Sequence, residues 1–325
     1  MSGNIDSSEY NKDFLHIAQY AIKAPSGHNT QPWKFKINEN SIEILPNFTK
    51  SLPAVDESNR ELYISLGCAL ENLRIAARHL GYNYDIAAQN EQGIIVNLVK
   101  ASSSTENSLY SQIEKRQTNR SVYNNQKIPD ETIKYLENII LQPNTQVYFA
   151  KIGENFANSL TQYILRGNEI QMNDNDFKDE LILWMRFNKR EVKKTQDGLA
   201  YNAMGFPAIA RFLGKLIVGA YLKPDKQNKA DLKKINSSSH FLLFTTKNNT
   251  VFEWIDLGRT LERILLETTR LNLANAYMNP PCEIEVLANE IKNTLTINNE
   301  YPAILLRIGY AQPMPYSHRV SSEMY

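Results

Sequence analysis

The chain has 325 residues, a formal net charge of +1 and 42% hydrophobic residues, a balance typical of globular proteins. A charge this close to zero gives no argument for a nucleic acid or a membrane surface as partner. The first twelve residues are polar, and no stretch approaches the roughly 18 apolar residues of a membrane span. We therefore expect no signal peptide and a cytoplasmic setting.

Cysteine number and motif content exclude several kinds of site. The two cysteines, Cys68 and Cys282, are neither a disulfide framework nor spaced as metal ligands. The HExxH, P-loop and Rossmann glycine patterns are absent from the sequence. We therefore expect no metal site.

Hydrophobic periodicity predicts alternating helices and strands along the chain. A helix is expected before residue 24, then a hairpin of Lys34–Ile37 with Ser41–Leu45, and a helix that starts near Asp56 and stops at Gly81. Further strands are expected at 94–99, 146–152, 241–245 and 303–308, with helices from residue 129 and over 254–273. The lysine-rich segment 223–234 is expected to be solvated, and the tail 309–325 to be irregular.

One short loop, residues 24–33 (APSGHNTQPW), carries the strongest chemical signal. Pro25 ends the preceding helix because it lacks a backbone N–H, and Gly27 lets the backbone approach a ligand closely. Ser26 and Asn29 add short hydrogen-bonding side chains. Such a loop suits a flat heteroaromatic ring with donors and acceptors on its edge, although an ordinary turn is the alternative reading.

Two pairs of segments suggest an internal duplication. Residues 29–37 match 144–152 at an offset of 115, and residues 66–73 match 257–264 at an offset of 191. The growth in offset means that the second half carries about 76 additional residues between its strand and its helix. Chance similarity between two amphipathic units is the alternative. We place the domain boundary in the serine-rich connector 101–107, which gives domains 1–107 and 108–325, the second with a lid-like insertion over about 155–250.

The loop string A-P-S-x-x-N-x-Q-P-W resembles the flavin loop of the nitroreductase superfamily, homodimeric oxidoreductases that bind FMN at their subunit interface. The segment 116–120 (RQTNR) is similar to the R-x-S/T-x-R/K element of that family, whose basic and hydroxyl residues meet the FMN phosphate and ribityl chain. The resemblance implies that the flavin ring contacts Pro25, Ser26, Gly27, His28, Asn29 and Gln31. It implies that the phosphate end contacts Arg116, Thr118 and Arg120.

Three further segments resemble parts of the family's site. Arg319 matches half of a terminal K-x-R pair on the phosphate, with Ser317 in place of the lysine. Asn188 and Arg190 match residues that reach the flavin pyrimidine edge. Met278 or Asn279 is expected to present a backbone N–H to flavin N5, because the prolines that follow have none. We assign no acid or base role to His28, since the hydride chemistry belongs to the flavin.

The halves differ in a way that implies one FMN per chain, because the arginine element occurs in the second half and the P-S-x-x-N loop in the first. The pattern is similar to the fused, pseudo-dimeric (Acg-like) branch. It implies an α+β fold with mixed, mainly antiparallel sheets flanked by helices, present twice in one chain. The implied activity is ping-pong hydride transfer from NAD(P)H through FMN to an electron-poor small molecule such as a nitroaromatic or quinone.

Two other functions stay open at this point. The first is an FMN-holding protein whose insertion closes over the flavin, with little turnover. The second is an α/β interaction protein without flavin. A monomeric pseudo-dimer and a homodimer are both compatible with the sequence.

Overall fold

The computed structural model describes residues 7–101, 108–295, 297 and 299–320. The first four-stranded sheet contains β1 (Trp33–Ile37), β2 (Ser41–Pro46), β3 (Tyr82–Asn90) and β4 (Gly93–Lys100). Its order is β1-β2-β4-β3, and every neighbouring pair is antiparallel. The second contains β5 (Thr145–Lys151), β8 (His240–Thr246), β9 (Ala274–Tyr277) and β10 (Tyr301–Gly309). Its order is β5-β8-β10-β9, again antiparallel throughout. A short parallel pair joins β6 (Met185–Arg186) to β7 (Leu199–Ala200).

The helices lie around and between the sheets. They are α1 (Ser7–Ala21), α2 (Arg60–His79), α3 (Tyr110–Ile113), α4 (Asp130–Glu137), α5 (Asn155–Asn173), α6 (Asn175–Trp184), α7 (Lys189–Thr195), α8 (Arg211–Tyr221), α9 (Pro224–Asn236), α10 (Val251–Arg270), α11 (Pro280–Glu283) and α12 (Glu285–Thr294). The predicted α+β class with mainly antiparallel sheets is confirmed.

The two sheets have one topology, as a duplication requires. Replacing β1, β2, β3 and β4 by β5, β8, β9 and β10 converts the first strand order into the second. In each half a long, mostly buried helix, α2 or α10, stands between the second and third of these strands. The predicted offset of 191 therefore relates two structurally equivalent helices.

The helices α2 and α10 pack directly against each other and join the halves. Their apolar faces belong to one buried cluster, which includes Leu66 and Leu70 from α2 and Leu257 and Leu261 from α10. The cluster also contains strand residues from both sheets, so the two halves share a core.

The second half departs from the first mainly by an insertion between β5 and β8. A three-residue turn joins β1 to β2, whereas residues 152–239 join β5 to β8 and contain α5 to α9. The predicted boundary lies outside the described residues over 102–107, so the division into 1–107 and 108–325 stays a prediction. The lysine-rich stretch predicted as solvated forms α9, with most of its lysines exposed.

Candidate functional site

The loop between α1 and β1 holds an unusual backbone conformation. A 3₁₀ turn spans Gly27–Asn29, and the φ angles of His28, Asn29 and Gln31 are 47°, 56° and 56°. Positive φ is uncommon for residues with a side chain, and such strain concentrates at ligand-binding sites. The Oγ of Ser26 accepts a hydrogen bond from the N–H of Gln31 at 3.0 Å, which helps to hold the turn.

Two side chains of this loop connect it to the insertion and to the C-terminal segment. The Nδ2 of Asn29 donates to the carbonyl of Gly198 at 3.2 Å. The Nε2 of Gln31 donates to the carbonyl of Gln196 at 3.0 Å, and its Oε1 accepts from the N–H of Val320 at 2.8 Å. The loop is therefore the meeting point of three distant parts of the chain.

Arg116 and Arg319 meet beside the loop, although about 200 residues separate them. The Nη2 atoms of both donate to the carbonyl of Lys23, at 2.8 Å for Arg116 and 3.3 Å for Arg319. The Nη1 of Arg319 also donates to the Oδ1 of Asn29 at 2.7 Å. The Nε of Arg116 lies 3.2 Å from a carboxylate oxygen of Glu262 in α10. These contacts bring the two predicted phosphate-binding arginines together at the predicted ring loop.

Arg120 adds a third cation at the same place. It makes no hydrogen bond or ion pair within the part of the chain that the structure describes. Burial lowers its pKa, and its charge acts together with burial to lower the pKa of His28 to about 4. His28 is therefore neutral at physiological pH, and its Nε2 is a buried atom without a partner. Thr118, two residues before Arg120, is half-buried.

Tyr277, at the end of β9, is the residue common to all three arginines. Electrostatic interactions link it to Arg116, Arg120 and Arg319. Burial raises the pKa of its phenol, which is therefore protonated near neutral pH. Sequence reasoning considered the backbone of this segment and missed the Tyr277 side chain, because nothing in a four-residue strand shows what its last side chain faces.

The cluster carries more positive than negative charge. Glu262 is the one carboxylate paired with Arg116 among the described residues, and it is fully buried. Burial raises its pKa to about 7 despite the opposing influence of Arg116. Burial and the Arg116 charge together lower the pKa of Arg319 to about 9. Buried cations without acidic partners favour an anionic ligand, and guanidinium groups suit phosphate.

The equivalent position in the first half has different charges. Glu71 of α2 corresponds to Glu262, and it is paired with Arg74 on its own helix and lies 3.8 Å from Arg263 of α10. The residue that corresponds to Arg263 is Asn72, which adds no charge beside Glu262. Glu71 thus has cations from the core helices themselves, whereas Glu262 takes its partner from the arginine segment.

The two predicted backbone donors after β9 differ in whether a carbonyl already occupies them. The N–H of Met278 donates to the carbonyl of Leu305 at 2.8 Å and is occupied. The N–H of Asn279 has no partner in the described chain, while its side chain bonds Glu61 and the N–H of Leu305. Glu61 lies against the loop, since a Cβ at Gly27 would be 3.0 Å from its Oε2. Asn279 therefore has the free backbone donor.

Among the residues that the structure describes, Asn188 and Arg190 make no hydrogen bond to this cluster. Asn188 caps α7, because its Oδ1 accepts from the N–H of Glu191 at 3.1 Å and its Nδ2 donates to the Glu191 carboxylate. Arg190 is exposed. Only the far end of α7 leads into the turn that bonds Asn29 and Gln31. A role for Asn188 or Arg190 at the flavin stays a prediction.

Neither a metal site nor a membrane span is found in the residues described above. No group of three or more His, Cys, Asp or Glu side chains is placed to hold a metal ion there. None of the helices described is both long and apolar enough to cross a bilayer.

Comparison with known proteins supplies named relatives. No family model matches the chain. It is 22% identical over 321 residues to a protein of Mycobacterium tuberculosis called a putative NAD(P)H nitroreductase, covering 93% of this chain and 88% of that protein. It is 33% identical over 63 residues to the putative NAD(P)H nitroreductase acg of the same organism, covering 19% of each. The predicted resemblance to the nitroreductase superfamily is confirmed by these relatives.

Solved structures with partial likeness carry similar names. One is the FMN-dependent nitroreductase NfnB from Mycobacterium smegmatis in complex with NADPH, at 15% identity and a TM-score of 0.39, covering 62% of this chain and 86% of that one. Another is a putative nitroreductase from Anabaena variabilis, at 12% identity and a TM-score of 0.47, covering 84% and 69%.

Proposed function

We propose that this chain, which is related over most of its length to proteins named as putative NAD(P)H nitroreductases, is an FMN-dependent NAD(P)H oxidoreductase. The single observation that carries the proposal is the cluster of Arg116, Arg120 and Arg319 beside the loop at 25–31. The cluster has only Glu262 as a paired carboxylate in the described chain, so a phosphate would balance its charge.

The residues present fit FMN at both of its ends. The buried Nε of Arg319 has no hydrogen-bond partner, and Arg120 makes no hydrogen bond or ion pair within the described residues. These groups, with the Thr118 hydroxyl, would hold the phosphate. The remaining predicted contacts would orient the ring, and they come from Pro25, Ser26, Gly27, His28, Asn29, Gln31 and the N–H of Asn279.

The residues of the chain would bind FMN, orient its ring and tune its reactivity, and the flavin would supply the redox chemistry. When bound, FMN supplies hydride transfer from NAD(P)H and then to an electron-poor small molecule such as a nitroaromatic or quinone, in a ping-pong cycle. The Arg116 segment and the loop come from different halves, and the charges differ at the equivalent position around Glu71. We therefore propose one FMN per chain.

Loss of Arg120 tests the proposal directly. Arg120→Met should weaken FMN binding by about 10- to 100-fold, because one charge-assisted phosphate contact is worth roughly 1.5–3 kcal/mol. The measurement is quenching of FMN fluorescence on titration with apoprotein. Arg166→Met is the matched control, since it removes an exposed guanidinium that pairs with Glu290 outside the cluster, and it should bind FMN as the unmodified chain does.

Two results would contradict the proposal. One is a purified chain that carries no flavin absorption band and takes up no FMN. The other is full FMN loading without NADH or NADPH oxidation in the presence of a nitroaromatic or a quinone. FMN binding would then stand, but the proposed oxidoreductase activity would not.

FMN storage with little turnover is the second candidate, and one observation favours it. The insertion is bonded to the candidate ring loop itself through Gln196 and Gly198. Asp197, between them, forms ion pairs with Arg186 at 2.7 Å and with Lys50 at 3.0 Å. A segment fastened in this way could exclude the nicotinamide donor from the ring.

A further inference from the structure

A row of large apolar side chains is exposed on the insertion. Phe206, just before α8, is 51% exposed, and five residues of α8 are between 44% and 69% exposed. Those five are Phe212, Leu213, Leu216, Ile217 and Tyr221. A contiguous apolar patch of this kind on a folded protein marks an interaction site.

The helix attaches to the protein by its opposite side. Gly214 is buried against the ring of Phe187, where an added Cβ would lie 2.2 Å from a ring carbon. Val218, one turn later, packs on the same small cluster. With 3.6 residues per turn, Phe212 and Leu216 point away from that face, and Ile217 lies at its side. The apolar side chains therefore face outward and are not the edge of a core.

Basic residues lie next to the apolar row in the sequence. Residues 205–234 contain seven lysines and arginines against two aspartates, a net charge of +5. Of the two aspartates, Asp231 is buried and bonds Asn168 and Lys234. The exposed charge of α8 and α9 is therefore almost entirely positive.

Exposed apolar side chains next to positive charge indicate which kind of partner this surface binds. A second copy of the chain, packed on the same face by two-fold symmetry, would bring one net positive segment against another. A helix with Phe and Leu on one face and lysines beside it matches a bilayer interface with anionic headgroups. We propose that α8 and the lysines of α9 form a docking surface for an anionic phospholipid bilayer.

The proposal revises the expectation drawn from the whole sequence. A net charge of +1 gave no argument for a membrane surface, but that sum hides a segregated charge of +5 in 30 residues. The docking surface would hold the chain on the bilayer without spanning it, and it does not depend on flavin binding.

The experiment is flotation of the full chain with vesicles of phosphatidylglycerol or of phosphatidylcholine, at low and high salt. We expect binding to phosphatidylglycerol that weakens as salt screens the charges. The double variant Phe212→Gln/Leu216→Gln should lower this binding by roughly tenfold or more. Lys223→Glu/Lys229→Glu should lower it as well without touching the apolar row.

Ile140→Gln is the matched control, because Ile140 is an apolar residue 90% exposed outside the insertion, and it should leave binding unchanged. The proposal is overturned if the unmodified chain does not bind phosphatidylglycerol vesicles, or if both double variants bind them as well as the unmodified chain does. It is equally overturned if sedimentation velocity shows a dimer that Phe212→Gln/Leu216→Gln dissociates while no vesicle binding occurs, since the occupant is then a second copy.

Discussion

A single buried carboxyl group decides how much positive charge the candidate site holds. Glu262 is fully buried, pairs with Arg116 and interacts with Arg319. When its carboxyl is protonated the three arginines are almost uncompensated, and when it ionises it competes with any bound anion for the same guanidinium groups. The net charge of Glu262 and the three arginines therefore changes with pH in the physiological range.

Replacement of Glu262 by Gln should flatten the pH dependence of stability. The pKa of Glu262 is raised from 4.5 to about 7 on folding, so the folded chain binds more protons than the unfolded chain between these values. Its contribution to the free energy of unfolding therefore falls as pH rises across that window, by up to about 3 kcal/mol. We expect urea unfolding of the apoprotein at pH 5 and pH 8 to show this loss in the unmodified chain relative to Glu262→Gln.

The comparison between variants matters because other groups oppose this trend. Burial lowers the pKa of His28 and of His240 to about 4, so each adds stability as pH rises. Glu137→Gln, on an exposed face of α4, is the control and should keep the pH dependence of the unmodified chain. An unchanged slope in Glu262→Gln would show that Glu262 is ionised throughout.

At the residue scale the sequence predicted the arginines of the site better than their carboxylate partner. Arg116 and Arg319 were predicted from the motifs at 116–120 and 316–319, and the structure brings both to the Lys23 carbonyl. Glu262 was visible only as a carboxylate within an apolar helical pattern, next to Leu261. Its pairing with Arg116 depends on tertiary packing across 146 residues, which local patterns do not contain.

Two glycines set the distance between the central helices. A Cβ at Gly67 would lie 2.0 Å from the carbonyl oxygen of Ile255, and a Cβ at Gly258 would lie 2.0 Å from that of Ile64. The two contacts are equivalent, because the repeat offset of 191 relates Gly67 to Gly258 and Ile64 to Ile255. Close backbone approach at this crossing is what lets the halves share a core.

Gly67→Ala should therefore destabilise the fold. The added methyl group meets backbone and not a flexible side chain, so the two helices must separate, which typically costs about 1–3 kcal/mol. Thermal unfolding measures the change. Gly219→Ala in α8 is the matched control, because a Cβ there meets nothing within 4 Å, and better helix propensity should raise stability by up to about 1 kcal/mol. Equal effects of the two variants would contradict contact at Gly67.

At the element scale, the long periodic helices α2 and α10 were predicted, whereas the helix α5 and several short or polar strands were not. The helix expected at 254–273 is α10, which starts three residues earlier because the Thr250 hydroxyl caps it. Two of the strands missed, β3 and β9, are rich in Asn and Ala, which have low strand propensity. They form because β4 and β10 supply a partner edge, a tertiary cause that periodicity does not show.

At the scale of the whole molecule, a buried ion-paired side chain is one of the links between the insertion and the first half. Asp197 bridges Arg186 of β6 and Lys50, which follows β2. Burial opposes ionisation of Asp197, but hydrogen bonds from Arg186 and Lys50 outweigh it and lower its pKa. The bridge lies between the two turn residues that bond the candidate ring loop, so it determines how firmly the insertion is held there.

Asp197→Ala should release this part of the insertion, since breaking a buried ion pair costs about 3–5 kcal/mol and leaves Arg186 unpaired. Limited proteolysis should then cut the insertion faster than in the unmodified chain. Asp225→Ala removes an exposed acid from α9 and should not change the cleavage rate. The rate of flavin reduction by NADPH separates the two proposed functions, because an oxidoreductase that already admits its donor gains nothing from release. A large gain would instead mean that the fastened insertion excludes the donor, and it would move the conclusion from enzyme to flavin storage.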